Sequence, residues 1–162
     1  MRTLLLLRHA KAEPEDSADH DHARKLTKRG RADAETVGTR LKSLRAVPAA
    51  IISSTAARAR GTAEIFAEAS GFPGKIALRD DLYLAPPSTY IEVLRGWPDD
   101  EESVMIVGHN PGIEELLSKL LGEDRWMQTA ALARLTVPWK SWSDASVSAG
   151  STLIDLWRPP HD

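Results

Sequence analysis

The sequence predicts a three-layer α/β sandwich, in which helices cover both faces of a mostly parallel sheet with an antiparallel C-terminal edge. Over most of the 162 residues, short apolar runs alternate with segments of helical periodicity, which is typical of a parallel or mixed sheet. Two β-rich runs at 131–137 and 152–157 then indicate the antiparallel edge. The length fits a single domain, 1–162, with a core of its own.

The predicted elements follow one another in strand–helix order. Strands are predicted by apolar runs at 3–7, 49–52, 75–78 and 104–107. Helices are predicted from near Thr27 to a stop at Pro48, from after the second strand to 71–74, and before and after the 104–107 strand. We expect Ser88 to cap the third helix, and Asn110 to cap the fourth with Pro111 in its first position.

Composition excludes several classes of function. The formal net charge of −2 argues against a nucleic-acid-binding protein, which usually has a basic excess. The chain has no cysteine, so disulfides, thiol catalysis and cysteine-bound zinc are excluded. Met1-Arg2 leads into only a few apolar residues, too few for a signal peptide or a membrane span, so a cytoplasmic protein is expected. Four tryptophans in the last quarter are interpreted as core or edge packing: Trp126, Trp139, Trp142 and Trp157.

Polar, reactive side chains follow three of the predicted strands. Arg8 and His9 come after the strand at 3–7, Arg58 lies shortly after the strand at 49–52, and His109 follows the strand at 104–107. The carboxyl ends of parallel strands share one edge of a sheet, so these side chains are expected to converge. Guanidinium groups bind phosphate oxygens in bidentate fashion, and a neutral imidazole can attack phosphorus. Each residue alone could be an ordinary surface or capping residue, but together they predict a phosphate site.

Three motifs make the chain similar to the histidine phosphatase superfamily. Residues 7–10, Leu-Arg-His-Ala, resemble the family's opening strand-Arg-His-Gly, with alanine in place of glycine. Residues 54–63 match the family's Ser-Pro-x-x-Arg-Ala-x-x-Thr-Ala element except for the proline, and residues 107–110 supply its late Gly-His. Within the superfamily the chain resembles the small SixA-like branch, on residues 8–13 and on Asp-x-x-Arg-x-Leu-Thr-x-x-Gly at 21–30. Residues 1–162 are therefore expected to form one histidine phosphatase domain.

The resemblance implies a phosphatase that works through a covalent phosphohistidine on His9. Arg8 and Arg58 would clamp the phosphoryl oxygens, His109 would donate to them as an imidazolium, and Lys11 would help to attract the anion. Neither a metal nor another cofactor is implied, because the cationic side chains stabilise the charge.

The implied substrate is a phosphorylated protein histidine or a small phosphoester. The alternatives are a small-metabolite phosphomonoesterase, a mutase, and a non-catalytic phosphate-binding relative. A nucleophilic histidine argues against the last, and the short chain leaves little room for the lid that a mutase needs. The sequence predicts no oligomeric state.

The sequence does not identify the proton donor. Asp81 is the nearest candidate, but its context favours a surface or capping role, and the donor could also lie in the acidic segment 13–21. The larger segment 13–23 is interpreted as a solvated loop. A metal site is the alternative, since His20 and His22 alternate with aspartates, but no third or fourth ligand is apparent. Arg60 is interpreted as a surface residue.

Overall fold

The apolar runs form a six-stranded sheet in the computed structural model, which describes residues 2–160. In chain order the strands are β1 (Arg2–Arg8), β2 (Ala50–Ser54), β3 (Ala77–Arg79), β4 (Ser103–Gly108), β5 (Leu132–Val137) and β6 (Thr152–Trp157). Their order in the sheet is β3-β2-β4-β1-β5-β6. The first four strands pair in parallel, and β5 and β6 add the antiparallel edge, which confirms the predicted fold class.

Helices cover both faces of this sheet: α1 (Lys28–Ser43), α2 (Ala57–Ser70), α3 (Pro87–Arg95) and α4 (Gly112–Leu121). Alternate residues of β1 point to opposite faces, as a pleated strand requires. Leu4 and Leu6 join one buried cluster with α3 and α4, while Leu5 and Leu7 join the other with α1 and α2. A continuous apolar run is therefore needed in β1, because both of its faces are buried.

The predicted signals agree with the start of α1 and the end of α2, whereas α1 ends at Ser43, before the predicted stop at Pro48. The Thr27 hydroxyl accepts a hydrogen bond from the Gly30 amide at 2.9 Å, so Thr27 caps α1. Gly71, with a φ of 74°, ends α2 in the left-handed conformation that glycine adopts readily. The third strand, β3, spans Ala77–Arg79 and so lies slightly later in the chain than the predicted 75–78.

Two predicted caps are wrong. Helix α3 begins at Pro87, before Ser88, because the fixed φ of proline suits the first helical position. Helix α4 begins at Gly112, and Pro111 is its N-cap, after a cis peptide bond. The Asn110 side chain instead donates to Glu114 at 2.8 Å and to the Met127 carbonyl at 2.9 Å.

The tryptophans only partly follow the predicted packing role. Trp139 and Trp142 are buried, with ring centroids 6.1 Å apart, and Trp157 packs at the edge of the second cluster. Trp126 is 73% exposed, so its predicted packing role is wrong. Within residues 2–160, no helix combines the length and apolar character needed to cross a membrane.

Candidate active site

Strand register brings the predicted site residues to one edge of the sheet. Arg8, the last residue of β1, pairs with Gly108, the last residue of β4. The next residue on each strand is a histidine, and the ring centroids of His9 and His109 lie 5.2 Å apart. Arg58 reaches the same place from the first turn of α2. These side chains border a cleft of about 680 Å³ together with Lys11, which is exposed.

The backbone at His109 is held by a buried tyrosine. A Cβ at Gly108 would lie 2.2 Å from the Tyr90 hydroxyl oxygen, so only glycine fits there. That hydroxyl accepts a hydrogen bond from the His109 amide at 3.1 Å. Burial raises the pKa of Tyr90 to about 12, so the hydroxyl stays protonated at physiological pH. The close approach fixes the point at which His109 leaves the strand.

His9 is a neutral imidazole, and its hydrogen bond determines which ring nitrogen carries the proton. Its Nδ1 lies 2.7 Å from the Ala10 carbonyl, which can only accept, so Nδ1 carries the proton and Nε2 keeps the lone pair. Burial lowers the pKa of His9 to about 4, and the charges of Arg58 and Arg8 add to this effect. The hydrogen bond to Ala10 opposes the shift but does not cancel it. Ala10 is not among the residues with positive φ, so the family's glycine is not needed here.

The two arginines are anchored through their outer nitrogens. Arg8 donates from Nη1 to the Met127 carbonyl at 3.0 Å. Arg58, which is 2% exposed, donates from Nη1 to the Asp21 carbonyl at 2.8 Å and from Nη2 to the Asp21 carboxylate at 3.0 Å. The Nε atoms of both arginines are buried, and neither has a partner in the part of the chain that the structure describes. Each guanidinium thus keeps one N–H group that makes no hydrogen bond within residues 2–160.

Burial favours a neutral His109 in the unliganded protein. The imidazolium predicted for His109 belongs to the step of phosphoryl transfer, and it stays a prediction. Burial lowers the pKa of His109 to about 3, and the positive charge of Arg58 acts in the same direction. Nε2 lies 2.8 Å from the Ser54 hydroxyl, and Nδ1 is buried with no partner among residues 2–160. If Ser54 donates to Nε2, the single imidazole proton resides on Nδ1 and can be donated to a bound oxyanion.

Three residues outside the predicted phosphate site lie beside it: Asp21, His22 and Tyr83. The Asp21 carboxylate accepts from Arg58, from the Tyr83 hydroxyl, and from Arg24 Nε at 2.9 Å. Its pKa is held well below the ordinary value, chiefly by the hydrogen bond from Tyr83 and also by those from Arg24 and Arg58. The spacing of Asp21 and Arg24 is visible in the sequence, but a spacing does not reveal their partners.

The segment 13–23 is therefore only partly the solvated loop that was predicted. His22 is half-buried, its Nε2 lies 3.0 Å from the Thr55 hydroxyl, and its ring meets Tyr83 edge-on at 4.9 Å. His20 is exposed. Residues 2–160 contain no group of three or more His, Asp or Glu side chains placed to hold a metal ion.

The candidate proton donor Asp81 lies outside the cleft lining. It is exposed and pairs with Arg79 at 2.8 Å, which fits the surface role favoured from the sequence. Of the described residues, only two carboxylates line the cleft, Glu15 and Asp21. The Asp21 carboxylate accepts hydrogen bonds from Arg24, Arg58 and Tyr83. Of the two, Glu15 is therefore the carboxylate that could donate a proton to a leaving group. Arg60 forms an exposed pair with Glu64 at 3.5 Å, as expected of a surface residue.

Comparison with known proteins identifies the family. The sequence profile of the histidine phosphatase superfamily (branch 1) matches residues 4–83. An uncharacterised chloroplastic protein of Arabidopsis thaliana is 32% identical, over 92% of this chain and 72% of its own length. A solved structure from Agrobacterium tumefaciens, provisionally named phosphohistidine phosphatase SixA, is 32% identical, with a TM-score of 0.83 over 98% of this chain and 99% of that one.

A second protein of the same provisional name, from Nakamurella multipartitia, is 31% identical, with a TM-score of 0.79 over 98% of this chain and 96% of that chain. These similarities extend over almost the whole chain, including the strand ends that carry the site. The chain therefore belongs to the histidine phosphatase superfamily and, within it, to the SixA-like branch.

Proposed function

We propose that this protein is a phosphatase that transfers the phosphoryl group of a protein phosphohistidine to His9 and then to water. The observation that carries the proposal is the state of His9. Its Nε2 holds a free lone pair. Arg8, Arg58 and His109 line the same cleft, and each has a buried N–H or ring nitrogen without a partner among residues 2–160. Such an arrangement suits an attack on phosphorus better than simple binding of phosphate, which needs no nucleophile.

In the first step, the lone pair on His9 Nε2 forms a bond to phosphorus while the bond from phosphorus to the substrate's imidazole nitrogen breaks. The electron pair of that bond leaves with the imidazole, which takes a proton from solvent. The negative charge on the non-bridging oxygens is stabilised by the free N–H groups of Arg8 and Arg58. The hydrogen bond from Nδ1 to the Ala10 carbonyl stabilises the positive charge that develops on the His9 ring.

In the second step, water attacks phosphorus and the bond to His9 Nε2 breaks. The electron pair returns to Nε2, the water loses its proton to solvent, and inorganic phosphate leaves. Splitting the reaction in two replaces one difficult displacement by two easier ones, and no metal is required because the cationic side chains hold the charge.

Neither Asp21 nor Asp81 is placed to protonate a leaving group in the described chain, which favours phosphohistidine over an ordinary phosphoester as the substrate. An alkoxide leaving group needs a proton from the protein, whereas an imidazole leaves as a neutral or readily protonated base. Asp21 cannot supply that proton, since its pKa is held low, and Asp81 does not line the cleft within the described chain. The similarity to proteins named for phosphohistidine substrates supports the same choice.

Glu15 favours a second candidate function, that of a small-metabolite phosphomonoesterase. This exposed carboxylate lines the cleft and is not tied to a guanidinium, so it could protonate an alkoxide. A Glu15→Gln variant separates the two functions. It should leave hydrolysis of a phosphohistidine domain unchanged, whereas a phosphomonoesterase that relies on Glu15 would lose activity on alkyl phosphates.

The test of the proposed function compares kcat/KM for a phosphorylated histidine domain with that for phosphoglycerates, sugar phosphates and an aryl phosphate, without added metal. We expect the phosphohistidine domain to be the best substrate. If a small phosphoester is turned over much faster than every phosphohistidine protein, the metabolite phosphatase is the correct function.

A further inference from the structure

We propose that Asp21, supported by Tyr83, is a positioning residue that holds the Arg58 guanidinium in the orientation that binds the transferred phosphoryl group. The inference rests on the proposed function but concerns residues that take no part in the chemical steps. It assigns a role to a loop segment that the sequence analysis interpreted as a solvated loop, with a metal site or the proton donor as alternatives.

The contacts between Asp21 and Arg58 fix the guanidinium plane. Nη1 donates to the Asp21 carbonyl at 2.8 Å and Nη2 to its carboxylate at 3.0 Å, so the two outer nitrogens are held by one residue. The Nε atom is buried and has no partner among residues 2–160. A guanidinium gripped at two nitrogens cannot rotate about its long side chain, and it presents its remaining N–H groups in one direction.

Asp21 is in turn held from two sides. Tyr83 donates a hydrogen bond to the same carboxylate oxygen that accepts from Arg58, and Arg24 donates to the other oxygen at 2.9 Å. Arg24 also donates to the Glu13 carbonyl at 2.8 Å, which ties the loop to itself. The carboxylate thus joins the loop after β1, the first turn of α2 and the loop after β3.

The Tyr83 ring makes edge-on contacts with two histidine rings. His22 meets it edge-on at 4.9 Å and His109 does so at 5.5 Å. The Thr55 hydroxyl donates to Asp80 at 2.7 Å and therefore accepts from His22 Nε2 at 3.0 Å, which fixes the His22 ring. His22 consequently acts as a support for Tyr83, a role that its place in the sequence did not reveal.

The negative charge of Asp21 allows kinetics to distinguish a residue that orients Arg58 from one that binds the substrate. A carboxylate in the cleft repels a phosphate dianion, so Asp21 weakens binding of the substrate through its charge while improving the orientation of Arg58. Removing the charge should therefore lower kcat and leave KM unchanged or reduced. A residue that served only the stability of the fold would not produce this split.

The test is a double-mutant cycle on Asp21 and Arg58, measured with a phosphohistidine domain and with an aryl phosphate. Asp21→Asn should lower kcat by about 10- to 100-fold, the range expected when a reacting group is held less well, without raising KM. In the Arg58→Ala background the same substitution should cause no further loss of kcat. Asp81→Asn, which removes an exposed aspartate–arginine pair outside the cleft lining, is the matched control and should leave kcat unchanged.

Chemical rescue gives an independent readout. Free guanidinium should restore part of the activity of Arg58→Ala, because Asp21 remains to bind it, and should restore none in the double variant Arg58→Ala/Asp21→Asn. Losses of kcat that multiply in the cycle would overturn the proposal, as would rescue that is equal with and without Asp21.

Two further measurements keep the test decisive if Asp21→Asn folds poorly or the proposed function fails. Tyr83→Phe keeps the ring between His22 and His109 but removes the donor to Asp21, and it should lower kcat several-fold without changing KM; an unchanged kcat would contradict the proposal. Calorimetric binding of inorganic phosphate needs no turnover. Asp21→Asn should strengthen that binding more in Arg58→Ala than in the wild-type protein, and equal gains would overturn the proposal even if no substrate is ever hydrolysed.

Discussion

The protonation of His9 and His109 is set by burial at the residue scale. Both imidazoles are neutral because the cleft removes them from water and surrounds them with guanidinium groups. The sequence predicted which four residues meet, because each follows a strand end in the family's order. It could not predict that His109 is uncharged, since burial and neighbouring charges become known only once the chain is folded.

This low basicity of the histidines predicts a loss of stability in mild acid. Between pH 6.5 and about 4 the unfolded chain binds protons that the folded histidines do not, so the free energy of unfolding must fall as the pH falls through that window. The slope can reach about 1.4 kcal/mol per pH unit for each histidine. Urea unfolding at pH 7.5, 6 and 5 measures how the free energy of unfolding changes with pH.

Substitution of His109 by Gln should reduce this slope, and substitution of the exposed His20 by Gln should not. Asp21 acts in a separate window, since its depressed pKa affects stability only below about pH 4. An identical slope in the wild-type protein and in His109→Gln would show that His109 does not carry the effect.

The geometry of Arg58 predicts that charge alone cannot replace it. Lysine keeps the charge but loses the planar group that bonds Asp21 through two nitrogens and leaves Nε without a partner in the described chain. We expect Arg58→Lys to lower kcat/KM by about 10- to 150-fold, which corresponds to the 1.5–3 kcal/mol of a charge-assisted hydrogen bond. Steady-state kinetics on an aryl phosphate provides the measurement. Arg60→Lys, two residues further along α2 in an exposed ion pair, is the control and should be nearly silent.

At the scale of elements, close approaches between segments position the site. Helix α4 starts at Gly112, where a Cβ would lie 1.8 Å from the Ala85 carbonyl oxygen. Ala85 belongs to the loop that also carries Tyr83, so the start of α4 and this loop are fixed against each other.

This contact predicts that Gly112→Ala destabilises the fold by about 1–3 kcal/mol, the usual cost of overpacking. It should also lower kcat, because the displaced loop carries Tyr83. Gly96→Ala is the matched control: its nearest non-neighbouring atom lies 3.9 Å from the added Cβ, and its φ is −91°. Urea unfolding of both variants checks the prediction, and equal stability of the two would show that the loop yields without cost.

Periodicity predicted the existence and type of every strand and α-helix, since burial on one or both faces leaves a direct pattern in the sequence. The predicted caps at Ser88 and Asn110 were wrong for a physical reason: Pro87 starts α3 earlier, and Asn110 bonds to the distant Met127 carbonyl. The partners of Asp21 and Tyr83 could not be predicted either, because 62 residues separate the two in the chain. Contacts between loops leave no periodic signal.

At the scale of the whole molecule, the fold concentrates positive charge that the sequence average hides. The chain has a net charge of −2, yet Arg8, Lys11, Arg24 and Arg58 line one cleft in which residues 2–160 place only two carboxylates. The exposed side chains of Lys11, Glu15 and Leu84 border this cleft, as suits a phosphoryl group presented on another molecule. The parallel strands bring about this convergence, since their carboxyl ends meet at one edge of the sheet.

Because neither Asp21 nor Asp81 is placed to protonate the leaving group, kcat/KM should depend steeply on the pKa of that group. Across a series of aryl phosphates, kcat/KM should fall sharply as the pKa of the leaving phenol rises, because the protein does not protonate the departing oxygen. A plot of log kcat/KM against that pKa gives the measurement. A shallow slope that becomes steep in Glu15→Gln would identify Glu15 as the acid and favour the phosphomonoesterase.

A covalent phosphohistidine on His9 would be detected most directly by rapid acid-free quenching of the enzyme during turnover of a phosphoryl-labelled histidine domain, followed by peptide mapping. We expect stoichiometric, acid-labile and base-stable label on His9, and none in His9→Ala, which should still bind phosphate through Arg8 and Arg58. Label on another residue, or full turnover by His9→Ala, would contradict this expectation.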